Sequence, residues 1–161
     1  MRRGFGLIER LTAAFRQEHA EIGALADAFG GLVAGARPAA LTNLLTLRDR
    51  LTAALTAHLN GEDWVLYPRI RASGDPAAAA LADRFVREIG GLSARYQAYL
   101  RVWTSSAIAA DWSGFQVETG DILAALAARA EREDRELYPL LERPISSRPA
   151  AAAPTLRLAS A

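Results

Sequence analysis

The stretch HLNGEDWVLYP at residues 58–68 recurs in outline as RAEREDRELYP at residues 129–139. In both copies a Glu-Asp pair begins four residues after the first residue, and Leu-Tyr-Pro closes the stretch. The first residue differs, because His58 stands in one copy and Arg129 in the other. The repeat predicts two related halves within the chain. Its polar side chains indicate a metal site, and the change from histidine to arginine leaves open whether the site is complete, retains half of its ligands or is only a remnant.

Composition limits the chemistry of such a site. The chain has 161 residues, of which 51% are apolar, so it suits one domain with a sizeable core. It contains no cysteine, which excludes zinc–thiolate sites, iron–sulfur clusters and disulfides. Any bound metal must therefore use nitrogen and oxygen ligands.

Charge and hydropathy limit the partners. The net charge is +1, so neither nucleic acid nor a membrane surface is an expected partner. Glu9, Arg10 and Arg16 interrupt the apolar run near the start, which argues against a secretory signal. No stretch is long enough to span a bilayer, and we therefore expect a cytoplasmic protein.

Apolar residues at helical spacing mark four stretches of the chain. The predicted helices cover about residues 6–29, 38–72, 76–103 and 115–140. Four amphipathic helices with mostly short joins predict an all-α fold, an antiparallel up-down four-helix bundle over residues 1–143. Residues 144–161 are rich in Pro and Ala and are predicted to form a flexible tail.

Glycine and proline set the predicted helix ends. The Gly-Gly pair at residues 30–31 is predicted to break the first helix. Asp75 and Pro76 suit the N-cap and the first turn of the third helix. Pro68 and Pro139 each remove one backbone hydrogen bond late in the second and fourth helices, which predicts a kink or an end at each.

The polar residues on the apolar stripes are candidate ligands. His58 and Glu62 are four residues apart on the second helix, so their side chains can converge on one ion. His19 faces inward from the first helix, and Arg129 and Glu133 lie on the inward stripe of the fourth. Burying such groups costs several kcal/mol unless each finds a partner. A metal ion is one such partner, and two histidines with carboxylates suit iron, manganese or zinc.

Each of these residues also has a purely structural interpretation. A histidine on an apolar face is often a hydrogen-bonded core residue, and a glutamate can reach the helix edge. Arg129 and Glu133 can form an ordinary ion pair between residues four apart on one helix. Leu-Tyr-Pro can serve only packing and a helix end.

Taken together, the residues resemble the hemerythrin-like, or HHE cation-binding, family over roughly residues 6–142. That family typically supplies, from each of two helix pairs, a Glu-His motif and a His-x-x-x-Glu motif followed by Leu-Phe/Tyr-Pro. Glu18-His19 matches the first motif, and His58 with Glu62 matches the second. Both copies of the repeat carry the closing Leu-Tyr-Pro.

The resemblance implies a four-helix bundle and a carboxylate-bridged pair of irons. It assigns two histidines to one iron and two glutamates to the bridge: His19, His58, Glu62 and Glu133. Ile89 and Arg129 stand where the histidines of the other iron are expected, so a normal di-iron centre and reversible dioxygen carriage are not expected. We predict that the guanidinium of Arg129 replaces the charge of the missing iron beside the two carboxylates.

These observations predict a protein that holds one iron-like cation. Its open positions would admit dioxygen, nitric oxide or peroxide, and by family analogy the protein would act in gas or oxidative-stress sensing. Two alternatives stay open. One is a metal-free bundle that acts as a regulatory or protein-interaction module, with homo-oligomers among its forms. The other is a non-haem iron enzyme, although no separate acid, base or nucleophile stands out.

Overall fold

The computed structural model describes residues 5–72 and 74–142, and within these ranges the chain contains helices and no β-strand. The helices in chain order are α1 (Phe5–Ala34), α2 (Thr42–Gly61), π1 (Glu62–Leu66), α3 (Tyr67–Ala72), α4 (Pro76–Val102), α5 (Ser105–Ala110), α6 (Trp112–Arg132), π2 (Glu133–Leu137) and α7 (Tyr138–Leu141). The predicted all-α class is confirmed. The predicted tail at residues 144–161 lies outside the described residues. None of the described helices combines the length and the apolar character needed to cross a membrane.

The first helix is longer than predicted. α1 continues through the Gly-Gly pair at residues 30–31 to Ala34, so the predicted end at Phe29 is wrong. Glycine within a helix costs roughly 0.5–1 kcal/mol relative to alanine, which tertiary packing can offset. Phe29 and Val33 lie one turn apart on the same face and are both buried, so their packing holds the last turns in helical form. α2 begins at Thr42, later than predicted.

Neither Pro68 nor Pro139 ends its helix. Each follows a five-residue π-helical turn, in which backbone hydrogen bonds reach one residue further than in an α-helix. In π1 the amide of Tyr67 donates to the carbonyl of Glu62, and π2 repeats this bond between the corresponding residues. Proline lacks an amide hydrogen, and its ring crowds the carbonyl four residues earlier. The wider turn relieves that clash, so the helix passes through the proline.

Polar side chains cap the helices of the second half. Asp75 accepts hydrogen bonds from the first amides of α4, and Pro76 occupies the first turn, as predicted. Thr104 and Asp111 cap α5 and α6 in the same way. The short helix α5 was not predicted, because its polar flanks indicate only a break. Ile108 within it is fully buried and joins it to the core.

The core consists of two clusters of buried side chains. One contains Phe29, Val33, Leu44, Leu51, Leu55, Tyr96, Tyr99, Trp103, Ile108, Phe115 and Ile122. The other contains Phe15, Leu66, Tyr67, Ile70, Ala78, Ala82, Phe85, Leu137, Tyr138 and Leu141. α1 packs against α2 and α6, and α4 packs against α3 and α6. Four polar residues with buried side chains lie in sequence between the positions that contribute to the two clusters: His19 on α1, His58 on α2, Glu62 on π1 and Glu133 on π2. They form a polar layer within an apolar core.

Candidate metal centre

Two histidines from neighbouring helices face each other in this polar layer. His19 comes from α1 and His58 from the last turn of α2, and their side chains are only 7% and 4% exposed. The two Nε2 atoms lie 3.1 Å apart. Phe15 contacts the His58 ring edge-on, and Tyr138 stacks on the His19 ring. Aromatic packing therefore restricts both imidazoles to this orientation.

A carboxylate holds each imidazole from the other side. His19 Nδ1 lies 3.0 Å from Asp134 Oδ1, and His58 Nδ1 lies 2.9 Å from Glu18 Oε2. Because an ionised carboxylate only accepts hydrogen bonds, each Nδ1 carries the donated hydrogen. In a neutral ring the Nε2 atom then presents a lone pair toward the other histidine. This carboxylate–histidine arrangement is typical of metal-ligating histidines.

A third donor group completes the cluster. Glu133 is 2% exposed, and its Oε2 atom lies 3.2 Å from His19 Nε2. Donor atoms of His19, His58 and Glu133 all lie within 4.8 Å of one another. Donors that each lie roughly 2.1 Å from one metal, at right to tetrahedral angles, are about 3.0–3.4 Å apart. The distances between the histidines and from His19 to Glu133 therefore fit a single cation.

Glu62, the fourth predicted donor, lies at the edge of this group. It is fully buried, and its Oε2 atom is 3.9 Å from His58 Nε2. The hydroxyl groups of Tyr67 and Tyr138 lie 3.5 Å from its two oxygens, one on each. The structure thus brings three of the four predicted donors together, with Glu62 adjacent to them.

Arg129 lies between the two carboxylates, and its side chain is 10% exposed. One guanidinium nitrogen, Nη2, contacts the carboxylate of Glu133. The same nitrogen donates to the Tyr67 hydroxyl at 2.9 Å and lies 3.6 Å from Glu62 Oε2. The other, Nη1, donates to the Phe85 carbonyl at 2.9 Å. Arg129 stands at the sequence position where the family resemblance expects a histidine of the second iron. The three clustered donors of His19, His58 and Glu133 therefore fit a cation, and a guanidinium lies beside the carboxylates.

Burial and charge shift the acidity of these groups. Burial, together with the negative charge of Glu133, raises the pKa of Glu62 well above its usual range, although Arg129 opposes the shift. Burial and the neighbouring His19 lower the pKa of His58. Burial also acts to lower the pKa of His19, but its carboxylate neighbours outweigh this and the pKa is raised. Two buried carboxylates with a single arginine form an environment that a further positive charge would stabilise.

A cavity of about 480 Å³ opens onto this group from the side of α2, α4 and α6. His19, His58, Arg129 and Glu133 line its inner end. The polar layer is therefore accessible to small molecules even though its side chains are almost completely buried.

Sequence reasoning missed four residues of the site. Glu18 and Asp134 hold the two imidazoles, and Tyr67 and Tyr138 face Glu62. All four belong to motifs that the sequence analysis singled out. The Glu-His and Glu-Asp pairs were the available signals, but spacing along one helix does not reveal a contact between helices.

The second half of the repeat has no equivalent histidine pair. Asp134 contacts His19, and Asp63 has the corresponding place in the other copy of the repeat, where it is exposed to solvent. Arg129 stands at one histidine position and Ile89 at the other. Ile89 lies on α4, and its side chain falls outside the part of the chain that the structure describes.

Comparison with known proteins identifies a family for this chain. The hemerythrin HHE cation binding domain family matches residues 10–141, a range that includes the two histidines and both glutamates of the polar layer. No curated protein and no solved structure matches the chain significantly. Because the family match covers most of the chain, this protein belongs to the hemerythrin HHE cation binding domain family.

Proposed function

We propose that the protein binds one iron-like cation through Nε2 of His19, Nε2 of His58 and the carboxylate of Glu133, with Glu62 as a further ligand. One observation carries the proposal: the two Nε2 atoms face each other at 3.1 Å while each Nδ1 is held by a carboxylate. Facing lone pairs repel unless a proton or a cation lies between them. Two imidazoles with carboxylate oxygen match the ligand preferences of iron, manganese and zinc, and family membership favours iron.

Arg129 limits the number of ions in this proposal. Its guanidinium contacts Glu133 and lies near Glu62, so it supplies the positive charge that a second cation would otherwise bring. We therefore expect at most one tightly bound transition metal per chain.

The physiological role follows from the ion and its surroundings. An iron held by His19, His58 and Glu133 would supply a binding position for dioxygen, nitric oxide or peroxide. Glu18 and Asp134 keep the imidazoles oriented, and the cavity of about 480 Å³ provides the path to them. A sensor of a diatomic gas or of oxidative stress is the role that these features support best.

The same proposal includes an antiparallel up-down order of the four long helical segments, the sequence expectation for the fold. The two core clusters support this order. Phe15, early on α1, shares one cluster with Leu66, which follows α2. Phe29, late on α1, shares the other cluster with Leu44, at the start of α2. A reversal of chain direction between α1 and α2 would account for both pairings.

Metal analysis tests the proposal directly. Protein purified without an affinity tag and reconstituted with iron should hold about one equivalent by elemental analysis. His58→Ala should abolish binding and His19→Ala should weaken it strongly, while circular dichroism shows unchanged helix content. Glu131→Ala, a change at an exposed residue, is the matched control and should bind as the wild type does. Two tightly held irons with an oxo-bridge absorption band, or no metal under any loading condition, would contradict the proposal.

A metal-free regulatory or protein-interaction module is the alternative that the Arg129 contacts favour. If the polar layer is held by Arg129 in the absence of metal, Arg129→Ala should destabilise metal-free protein by about 3–5 kcal/mol, because buried carboxylates lose their cation. Arg132→Ala removes a guanidinium whose side chain is 34% exposed, and it should cost about 0–1 kcal/mol. Urea denaturation measures both. Equal small losses would show that Arg129 does not balance the buried carboxylates.

A non-haem iron enzyme is the other alternative, and one observation favours it. Two histidines and one carboxylate, here His19, His58 and Glu133, are the donor set of many iron oxygenases. Repeated turnover of peroxide by iron-loaded protein, absent in His58→Ala, would support an enzyme. A single stoichiometric reaction per iron is the result expected for a sensor.

A further inference from the structure

The cavity beside the metal centre is much larger than a gas ligand requires. Its volume of about 480 Å³ lies within the roughly 300–1,000 Å³ typical of pockets that bury small organic ligands. One water-sized molecule needs only about 30 Å³. Dioxygen, nitric oxide and peroxide would therefore leave most of this space unfilled.

The cavity has an apolar wall and a charged inner end. Leucines from three helices contribute to the wall: Leu55, Leu59, Leu92 and Leu126. The inner end is formed by His19, His58, Glu133 and Arg129, whose side chains are at most 10% exposed. An occupant that complements both parts has a hydrocarbon body and one polar head group.

A glycine in the middle of α4 has no side chain that could occupy the space of the cavity. Gly90 lines the cavity, and a Cβ atom added there would meet nothing within 4 Å. Glycine within a helix is destabilising relative to alanine, so helix propensity does not explain why a glycine occupies position 90. Gly91 is next to it and also has open space around it, but it is not part of the cavity lining.

We infer that this cavity binds a small organic carboxylate, with the carboxylate at the inner end and the hydrocarbon between the leucines. The inference rests on the proposed cation site for the charge of the inner end. Arg129 and a divalent cation together carry one more positive charge than ionised Glu62 and Glu133 carry negative, so an anionic head group is favoured there.

The other acidic groups near the cavity do not reverse this preference. The side chains of Glu18 and Asp134 lie behind the imidazoles and are 45% and 38% exposed, so water screens their charges. Asp63, which also lines the cavity, is exposed to solvent. Its charge disfavours a carboxylate at the outer part of the cavity and leaves the inner end as the place for the head group.

Calorimetric titration of iron-loaded protein tests the inference with acetate, butanoate, hexanoate and octanoate as ligands. Affinity should rise about two- to fourfold per added methylene until the cavity is full, as expected for burial of apolar surface. Hexanol, which has a similar body and no charge, should bind at least tenfold more weakly than hexanoate. Affinity that is independent of chain length, or hexanol that binds as tightly as hexanoate, would overturn the inference.

Two glycine variants provide the matched comparison. Gly90→Leu should fill the cavity and weaken hexanoate binding at least tenfold, whereas Gly91→Leu should leave it unchanged. Iron content is measured on the same samples and should stay near one equivalent in both. Failure of the wild-type protein to load iron would overturn the proposed function. Iron-loaded wild type that does not bind hexanoate, or an iron-loaded Gly90→Leu variant that binds it as tightly as the wild type, would overturn only the inference about the cavity.

Discussion

Among single residues, the proposed metal centre depends on groups that would not contact the ion. Asp134 and Glu18 each accept a hydrogen bond from an Nδ1 atom, which fixes the tautomer and directs Nε2 into the polar layer. Their own side chains are partly exposed, so they contribute little to the core. Their main effect is therefore on the orientation and basicity of the imidazoles.

Loss of either carboxylate should weaken metal binding without unfolding the protein. Asp134→Ala and Glu18→Ala are each expected to reduce iron affinity about 10- to 100-fold. Asp63→Ala is the matched control, because Asp63 has the same place in the repeat and is exposed. Competition with a chelator measures the affinities. The orienting role is wrong if all three variants lose affinity equally.

At the scale of elements, the π-helical turns explain why the tyrosines face the site. In an α-helix two residues five apart point about 140° away from each other. Glu62 and Tyr67 are five apart, yet their side chains meet, because the wider turn of π1 brings residues at this spacing onto one face. A period of 3.6 residues therefore places Tyr67 away from Glu62, so the spacing of these residues does not indicate their contact.

Two helical glycines should respond oppositely to the same substitution. Gly91→Ala places a methyl group in open space, so the higher helix propensity of alanine should stabilise the protein by about 0.5–1 kcal/mol. Gly61→Ala would place its Cβ 3.0 Å from the Phe15 ring. Phe15 is confined by the rings of His58 and Tyr138, so it cannot yield and stability should fall. Thermal and urea unfolding compare the pair; stabilisation by Gly61→Ala would show that Phe15 moves freely.

At the scale of the whole molecule, Glu142 ties the end of the described chain to its beginning. Its Oε1 atom accepts hydrogen bonds at 2.5 Å from both Thr12 and Arg16 on α1. The hydrogen bond from Arg16, and then that from Thr12, lower the pKa of Glu142 below its usual value of about 4.5, although burial opposes them. These hydrogen bonds connect α1 to the residue that follows α7.

This contact should contribute stability that depends on pH. A lowered folded-state pKa means that the stabilisation is present above the unfolded pKa and is lost as pH falls through the folded value. Glu142→Gln should therefore lower stability by at most about 1 kcal/mol near pH 7, since the pair is partly exposed, and the difference should vanish in acid. Glu131→Gln, at a more exposed pair with Arg135, is the control and should show almost no difference. A Glu142→Gln deficit that persists in acid would mean that lost packing causes it.

The two halves of the molecule differ in their ligands, and this difference can be reversed. Ile89→His with Arg129→His places histidines at both positions where the repeat expects them. Iron content should rise from about one to about two per chain, with spectra of a carboxylate-bridged pair. Either single change should gain less, because one histidine leaves the second ion under-coordinated. A folded double variant that still holds one iron would show that the repeat is not matched by equivalent positions in space.

The helical class, the family and the burial of His58 and Glu133 could be predicted from the amino-acid sequence. These properties follow from local spacing, because a period of 3.6 residues decides which side chains share the inward face of a helix. The motif of His58 with Glu62 was visible for the same reason. One-dimensional spacing was insufficient where the helix departs from that period, as in the π-helical turns before the two prolines. At Gly30 the predicted break was wrong because tertiary packing offsets the low helix propensity of glycine.

Contacts between side chains on different helices could not be predicted from the sequence, because they depend on the tertiary structure. The pairing of His19 with Asp134 and of His58 with Glu18 depends on which helices are neighbours and how far they are shifted along their axes. Helical periodicity contains neither quantity. The position of Arg129 between two carboxylates has the same origin, since a flexible side chain adopts the place that the surrounding packing and charges stabilise.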